Sequence, residues 1–142
     1  MLKVVFDTVV LVRALINPHS VCGRLVFGYY ARYRLFVSRA VVLEILEVLR
    51  RPELVSKFRA LEGFDVTRAI ELISQAEVVN VPAVPAVARD PKDDKFLATA
   101  AAASADYLVS EDQDLLVLRT YEETRIVDAL TFLRILEQEP GA

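Results

Sequence analysis

Short apolar runs alternate along the chain with longer stretches in which apolar residues recur at helical spacing. Leu2–Phe6 is apolar except for Lys3 and ends at Asp7, a pattern typical of a strand buried on both faces. Shorter runs that favour strands follow at 35–37, 78–81, 107–110 and 125–127. The pattern therefore predicts a sheet of four to five strands.

Helices are predicted between these strands. Thr8–Ile16 is apolar and stops before Asn17 and Pro18. Ser20 is a candidate N-cap for a helix over 21–33, and Ser38 is one for a helix that Pro52 ends. Further helices are predicted through residue 59, over 66–76 and 91–103, shortly after residue 112, and from 129 to 137.

Because strands and helices alternate, the strands are expected to run parallel, joined by right-handed crossovers. The predicted fold class is a three-layer α/β/α sandwich with a central, mainly parallel sheet, formed by residues 1–142 as one domain. Ligands of such sheets bind beyond the carboxyl ends of the strands. Asp7 follows the first strand, and Asp112 and Asp114 follow the strand at 107–110, so these acids are expected to meet at one edge.

Composition limits the classes of protein. The chain has 142 residues, of which 54% are hydrophobic and 26% charged, which suits one folded domain and excludes a low-complexity chain. Cys22 is the only cysteine, so neither a disulfide framework nor a thiolate metal cluster is expected. The start lacks signal-peptide features and no apolar run approaches the ~20 residues that span a bilayer, so we expect a cytoplasmic protein.

The net charge of −3 is unevenly distributed, with acids concentrated at 90–94 and 111–114. Bases gather outside these segments, at Arg50, Arg51, Lys57 and Arg59, and at Arg32 and Arg34. An acidic centre with basic flanks suits a metal-using nuclease, although ordinary solvated faces would give the same pattern.

Several carboxylates in one cleft require neutralisation. Two unit charges ~4 Å apart repel by about 4 kcal/mol at an effective dielectric constant near 20. Protons, arginines or divalent cations could offset this repulsion. Mg²⁺ and Mn²⁺ prefer oxygen ligands and suit phosphate chemistry, so the acids indicate a site that polarises a phosphodiester and activates water.

Four segments with acidic residues occur in order between residue 3 and about residue 133. They are 3–12 with Asp7 and Thr8, 38–52 with Glu44, 89–98 with Asp94, and 108–115 with Asp112. In these four segments the chain resembles the PIN-domain family. The similarity is closest to the branch that contains toxins of toxin–antitoxin systems, related to VapC toxins.

The resemblance implies a role for each matching residue. Asp7 would be the central metal ligand, with Asp94 and Asp112 completing the metal site. Glu44 would act through water, and Asp114 would be an auxiliary acid.

Two hydroxyl residues also match: Ser110 would hydrogen-bond a ligand or phosphate, and Thr8 would fix the loop after the first strand. The implied reaction is Mg²⁺- or Mn²⁺-dependent hydrolysis of RNA by activated water, leaving a 5′-phosphate. The implied partners are RNA and a cognate antitoxin protein, with no membrane.

One position departs from the family pattern. The family signature has Asn two residues after the first acid, whereas this chain has Val9, which cannot form a side-chain hydrogen bond. A weaker metal site, a compensating water or a catalytically degenerate module that binds RNA or protein would each be consistent with this change.

Some of the acidic residues can be explained by a structural role in place of metal binding. Asp90, Pro91 and Asp93 have the pattern of a helix start, so both acids are interpreted mainly as capping residues. Asp94 is preferred as the ligand because Leu97, Ala98 and Ala101 place it on the packed helical face. Glu47 is expected to face solvent, and Glu111 is left out of the site.

Apolar and aromatic residues cover more than one face of the segment 21–33. Such surplus apolar surface favours a homodimer interface or a groove for an antitoxin segment, and a deeply packed helix is the alternative.

The residues of the sequence also allow some other functions of similar folds and sites, and they disfavour others. A nuclease of the same fold could act in RNA processing or on DNA, because the site chemistry would be shared. An aspartyl-phosphate fold is disfavoured because its phosphatases require Asp-x-Asp, and Val9 occupies the second acidic position.

Overall fold

A mainly parallel sheet organises the chain. The structure is a computed structural model and describes residues 1–53, 66–84 and 86–138. Its strands are β1 (Leu2–Phe6), β2 (Tyr33–Val37), β3 (Glu77–Val78), β4 (Tyr107–Val109), β5 (Thr120–Tyr121) and β6 (Thr124–Val127). The strand order is β3-β2-β1-β4-β6-β5, and every pair of neighbours is parallel except β5 and β6.

Helices flank this sheet. They are α1 (Thr8–Ile16), α2 (Val21–Gly23), α3 (Arg39–Leu49), α4 (Val66–Gln75), α5 (Asp94–Ala103), α6 (Gln113–Leu116) and α7 (Ala129–Gln138). Helix α5 packs against β1, β2 and β4, while α1 packs against α2 and α3. The predicted α/β sandwich with a mainly parallel sheet is confirmed.

The core lies on both sides of β1. Val4, Val5 and Phe6 are all buried although neighbouring side chains point to opposite faces, as expected of a central parallel strand. On one face, the Phe132 ring of α7 contacts Tyr33 and Tyr107, with ring centroids 6.0 and 5.2 Å apart. This aromatic group attaches the C-terminal helix to the strands on both sides of β1.

The predicted helix over 21–33 is wrong in its extent. Helix α2 passes into a π-helical turn at Arg24–Gly28 and a 3₁₀ turn at Tyr30–Arg32, after which β2 begins. Gly23 packs so closely that a Cβ would lie 2.3 Å from the carbonyl oxygen of Pro18. Part of the surplus aromatic surface therefore belongs to the core: Tyr33 is buried in β2, while Tyr30 is exposed.

Other predicted elements shift by a few residues. The strand expected at 78–81 is Glu77–Val78, and the helix expected over 91–103 begins with a 3₁₀ turn at Pro91–Asp93. Strand β5 was not predicted. The predicted helix through residue 59 lies almost entirely outside the described residues.

Among the residues that the structure describes, no single helix has the length and apolar character to cross a membrane. The adjacent segments Thr8–Ile16 and Val21–Gly28 reach this length and character together, but they are bent by 102°.

Candidate metal centre

The carboxyl ends of β1 and β4 lie side by side, because these strands are parallel with Phe6 opposite Val109. The backbone N–H of Asp7 continues this pairing by donating to the carbonyl of Val109 at 3.0 Å. Asp7 and Ser110 therefore leave the sheet at the same edge. The meeting of these two strand ends, expected because the strands run parallel, is present.

Asp7 is buried and held by several donors. Its Oδ1 accepts from the backbone N–H of Val10 at 2.9 Å, which caps α1. Its Oδ2 accepts from the Ser110 hydroxyl and, at 3.3 Å, from the N–H of Glu111. Burial raises the pKa of Asp7 to about 6 despite these donors. The carboxyl group is thus fixed in position and resists ionisation when it has no cation nearby.

Ser110 connects two of the acids. Its side chain is fully buried, and its oxygen accepts from the N–H of Asp112 at 3.0 Å while its hydrogen goes to Asp7. Asp112 caps α6 through Oδ1, which accepts from the N–H of Asp114 at 2.9 Å. The hydroxyl that was expected to bind a ligand or phosphate is therefore already engaged with the acidic groups.

Asp93 points into this acidic region. It is only 8% exposed, and its Oδ2 has no hydrogen-bond partner among the described residues. Burial, together with the carboxyl group of Asp112, raises the pKa of Asp93 to about 7. Carboxylate oxygens of Asp90, Asp93 and Asp114 lie within 4.8 Å of one another.

Asp94, which the sequence placed beside Asp7 and Asp112, is not among the residues that line the cleft with them. It is buried, but its Oδ1 accepts from the backbone N–H groups of Val87 and Ala88 at 3.0 and 2.7 Å. The helical pattern correctly marked Asp94 as packed, but its hydrogen bonds anchor the loop before α5. The 3₁₀ turn at Pro91–Asp93 changes the angular spacing of these residues, and Asp93 is the one that lines the cleft.

The capping interpretation holds for only one of the two acids before α5. Asp90 caps the 3₁₀ turn, with Oδ1 accepting from the N–H of Lys92 at 3.0 Å. Asp93 forms no capping hydrogen bond. Asp114, the predicted auxiliary acid, forms a 3.0 Å ion pair with Arg89.

Glu44 lies in the same cleft as Asp7, held by two neighbours. The Thr8 hydroxyl and the Lys95 ammonium donate to different oxygens of its carboxylate. Thr8, which was expected to fix the loop after β1, thus links the start of α1 to α3. Glu47 is 74% exposed on the same helix, as predicted.

The cleft has a volume of about 470 Å³. Its acidic lining consists of Asp7, Glu44, Asp90, Asp93 and Asp112. Three cations also line it: Arg13, Arg51 and Lys92. Val9 is 43% exposed here, so the apolar departure from the family signature faces the cleft directly.

A divalent cation fits this set of groups. Among the described residues, Asp7, Asp93 and Asp112 form no ion pair with a lysine or arginine. Several carboxylates held together without a cation must bind protons, which agrees with the raised pKa values of Asp7 and Asp93. The orphaned Asp93 oxygen lacks a partner that a hard, oxygen-preferring cation would supply.

The fold and this cleft define a class of α/β proteins that gather acids at the carboxyl ends of parallel strands. This chain belongs to the PIN domain family, whose family model matches residues 3–114. PIN domains are in general metal-dependent nucleases, and the acidic cluster fits a metal site. No curated protein matches the chain.

The sequence analysis interpreted Asp93 as a capping residue and missed two of the cleft cations, Arg13 and Lys92. A place for Asp93 in the cleft could have been inferred because Pro91 fixes the backbone of the first turn and favours a tight start to the helix. Nothing in the sequence distinguishes Arg13 from an exposed arginine on an amphipathic helix. Its place in the cleft follows from the packing of α1 beside α3.

Proposed function

We propose that this protein is a Mg²⁺- or Mn²⁺-dependent endoribonuclease and the toxin of a toxin–antitoxin pair. It would hydrolyse RNA phosphodiester bonds with water as the nucleophile. The main support is the buried Asp93 oxygen, which has no hydrogen-bond partner in the described part of the chain and lies in a cleft that also contains Asp7 and Asp112. PIN-family membership supports the nuclease chemistry.

We propose Asp7, Asp93 and Asp112 as the residues that hold the ion, with Asp93 in the place first expected for Asp94. Bound Mg²⁺ or Mn²⁺ would neutralise the acids, polarise the phosphodiester and lower the pKa of a water molecule. Ser110 would keep Asp7 oriented through its hydrogen bond. Orientation of this kind is what residues behind metal ligands commonly provide.

Glu44 would orient the attacking water, because Thr8 and Lys95 hold its carboxylate at the side of the cleft. Asp114 would act as an auxiliary acid near Asp90 and Asp93. Its ion pair with Arg89 would limit the negative charge that it adds.

The cations in the cleft favour a nucleic-acid substrate. The guanidinium of Arg13 and the ammonium of Lys92 form no ion pair with another described residue. Among the residues that the structure describes, Arg51 has one ion pair, at 4.0 Å with exposed Glu47. These groups are available to phosphates on either side of the bond to be cleaved, as phosphate-binding cations must be.

A cognate antitoxin and a second copy of the chain are the proposed protein partners. Support comes from exposed Tyr30, which borders a groove with Val26 and Leu72. Aromatic residues are enriched at interfaces. We propose a cytoplasmic location because that is where an RNA substrate and an antitoxin would be met.

A second candidate function is a catalytically degenerate module that binds RNA or protein. Val9 favours it, because an exposed valine lies where the family has an amide that could orient the acids. This candidate would retain the fold and the cations of the cleft, and it would lack metal-dependent cleavage.

The decisive experiment is cleavage of labelled RNA and single-stranded DNA with Mn²⁺, with Mg²⁺ and with EDTA. The proposal expects RNA cleavage that EDTA abolishes and that Asp93→Asn and Glu44→Gln reduce at least 100-fold. Glu47→Gln is the matched control, because Glu47 lies on the same helix and is exposed. Absence of cleavage together with absence of Mn²⁺ binding would favour the degenerate module.

A further inference from the structure

A second cavity lies beside the acidic cleft, with a volume of about 330 Å³. It is bordered by the start of α3, by the loop after β3 and by α5. The residues that matter for its chemistry are Arg39, Leu43, Asn80, Val81, Val84 and Lys95.

One ion pair forms the wall between the two cavities. Lys95 lines the second cavity, and its ammonium donates to Glu44, which lines the acidic cleft. Glu44 in turn accepts from Thr8, the residue next to Asp7. An RNA strand with a phosphate in the acidic cleft would therefore have its neighbouring nucleotide close to the second cavity.

The second cavity combines apolar walls with two polar side chains. Leu43 and Val84 are 55% and 56% exposed, so both present apolar surface to solvent beside Val81. The side chains of Arg39 and Asn80 form no hydrogen bond or ion pair with another described residue. The cavity thus offers an apolar wall, an amide and a cation together.

A nucleotide matches each of these groups. The faces of a base are apolar enough to pack against Leu43 and Val84, and its edge carries donors and acceptors that an amide such as Asn80 can meet. Its phosphate is an anion for Arg39. The volume lies within the range of small-molecule sites.

We propose that this cavity is a subsite for one unpaired nucleotide beside the cleavage position of a single-stranded RNA. The proposal rests on the proposed function for the placement of the neighbouring phosphate. A base in a duplex is stacked and paired and cannot enter a cavity of this kind. The subsite would therefore make the protein select single strands.

Binding of a fluorescein-labelled RNA hexanucleotide, measured by anisotropy in EDTA, tests this subsite without relying on cleavage. The expected result is that Leu43→Ser and Asn80→Ala each weaken binding at least fivefold. Leu130→Ser and Arg134→Ala are matched controls, because both residues are exposed on α7 and border neither cavity, so binding should stay within twofold. Thermal melting of each variant checks that the fold is retained.

Two further measurements can overturn the proposal. A blunt RNA duplex of equal length should bind at least tenfold more weakly than the single strand. An oligonucleotide containing 4-thiouridine should crosslink to residues 39–43 or 79–84 on irradiation. The subsite would be refuted by equal binding of duplex and single strand, or by crosslinks confined to other segments. It would also be refuted if Leu43→Ser and Asn80→Ala bound RNA like the controls, and that result would fit a protein segment as the occupant of the cavity.

The outcome of these RNA-binding measurements can be distinguished from the outcome of the cleavage assay. Cavity-dependent RNA binding by a protein that never cleaves RNA would support the subsite and refute the nuclease. Metal-dependent cleavage with no effect of Leu43→Ser or Asn80→Ala on binding would support the nuclease and refute the subsite.

Discussion

The Ser110 hydroxyl donates a hydrogen bond to Oδ2 of Asp7, joining the residues that follow two adjacent parallel strands. The same oxygen accepts from the N–H of Asp112 at 3.0 Å. The bond to Ser110 also lowers the pKa of Asp7, opposing the larger effect of burial. One buried side chain thus orients a candidate metal ligand and favours its ionised form.

Ser110→Ala should lower Mn²⁺ affinity about 10- to 100-fold, because Asp7 would lose both its orientation and a donor that favours its ionised form. Isothermal titration calorimetry at pH 7 measures this loss. Ser74→Ala, an exposed serine on α4, is the control. Unchanged Mn²⁺ affinity in Ser110→Ala would show that this hydrogen bond does not orient a metal ligand.

Asp93→Asn should abolish Mn²⁺ binding, whereas Asp94→Asn should retain it. An amide at position 94 keeps the oxygen that accepts from Val87 and Ala88. At position 93 the substitution removes an ionisable oxygen from the cleft. Without metal, Asp93→Asn should be more stable, by about 1 kcal/mol or more, because it removes a buried charge next to Asp112.

Calorimetric titration with Mn²⁺ and thermal melting in EDTA separate these two variants. Loss of binding in Asp94→Asn with binding preserved in Asp93→Asn would restore the assignment first drawn from the sequence.

Metal affinity should rise as the pH increases from 5 to about 7.5. The pKa values of Asp7 and Asp93 are raised to about 6 and about 7, so protons compete with the metal over this interval. Calorimetric titrations at several pH values measure the effect. Affinity that does not change between pH 5 and 8 would argue against these two ligands.

The stability of the metal-free protein should follow the opposite trend. Both folded-state pKa values exceed 3.8, the ordinary pKa of an aspartate side chain. Protonation therefore favours the folded state, and this contribution is fully present below pH 3.8 and is lost as pH rises through 6 and 7. Melting temperatures in EDTA should fall over that window, and the fall should be smaller in Asp93→Asn.

Arg13→Ala should weaken RNA binding and leave Mn²⁺ affinity unchanged. Removal of one phosphate contact should reduce the slope of log affinity against log salt by about 1. Anisotropy titrations at several salt concentrations give this slope. Arg134→Ala controls for the general loss of one positive charge, and an equal effect of both variants would indicate only a nonspecific change in net charge.

Val9→Asn should raise Mn²⁺ affinity or cleavage rate several-fold, because an amide at this exposed position could orient the neighbouring acids. Rates on RNA and calorimetric affinities measured beside the parent protein test this. No change, or a decrease, would mean that the cleft functions with valine or has lost its catalytic role.

The elements of the fold could be predicted where one local pattern dominates. Leu2–Phe6 and Thr8–Ile16 have the predicted bounds, because a largely apolar run and a polar stop define each of them. The segment 21–33 lacks such a stop. Its helix ends because tertiary contacts draw Tyr33 into the sheet, where the hydroxyl donates to the Leu25 carbonyl at 3.0 Å.

Strand β5 was not predicted, for a related reason. It has two residues, and the residues beside it, Arg119 and Glu122, adopt positive φ values of 63° and 53°. Glycine is the usual signal for this backbone conformation, and none is present there. The antiparallel pairing with β6 holds this conformation, so the turn carries no local signature.

By itself, the sequence determined the class of fold, the strand edge at which acids collect, and the segments that carry them. Hydrophobic periodicity, which acts over a few residues, determines the elements. The shared direction of parallel strands, which applies to the whole sheet, determines the edge at which the acids collect. Only the tertiary structure decided that Asp93 lines the cleft while Asp94 anchors a loop. Adjacent residues at a helix start differ by about 100° to 120° in direction, so the local choice between 3₁₀ and α geometry determines which carboxylate reaches the site.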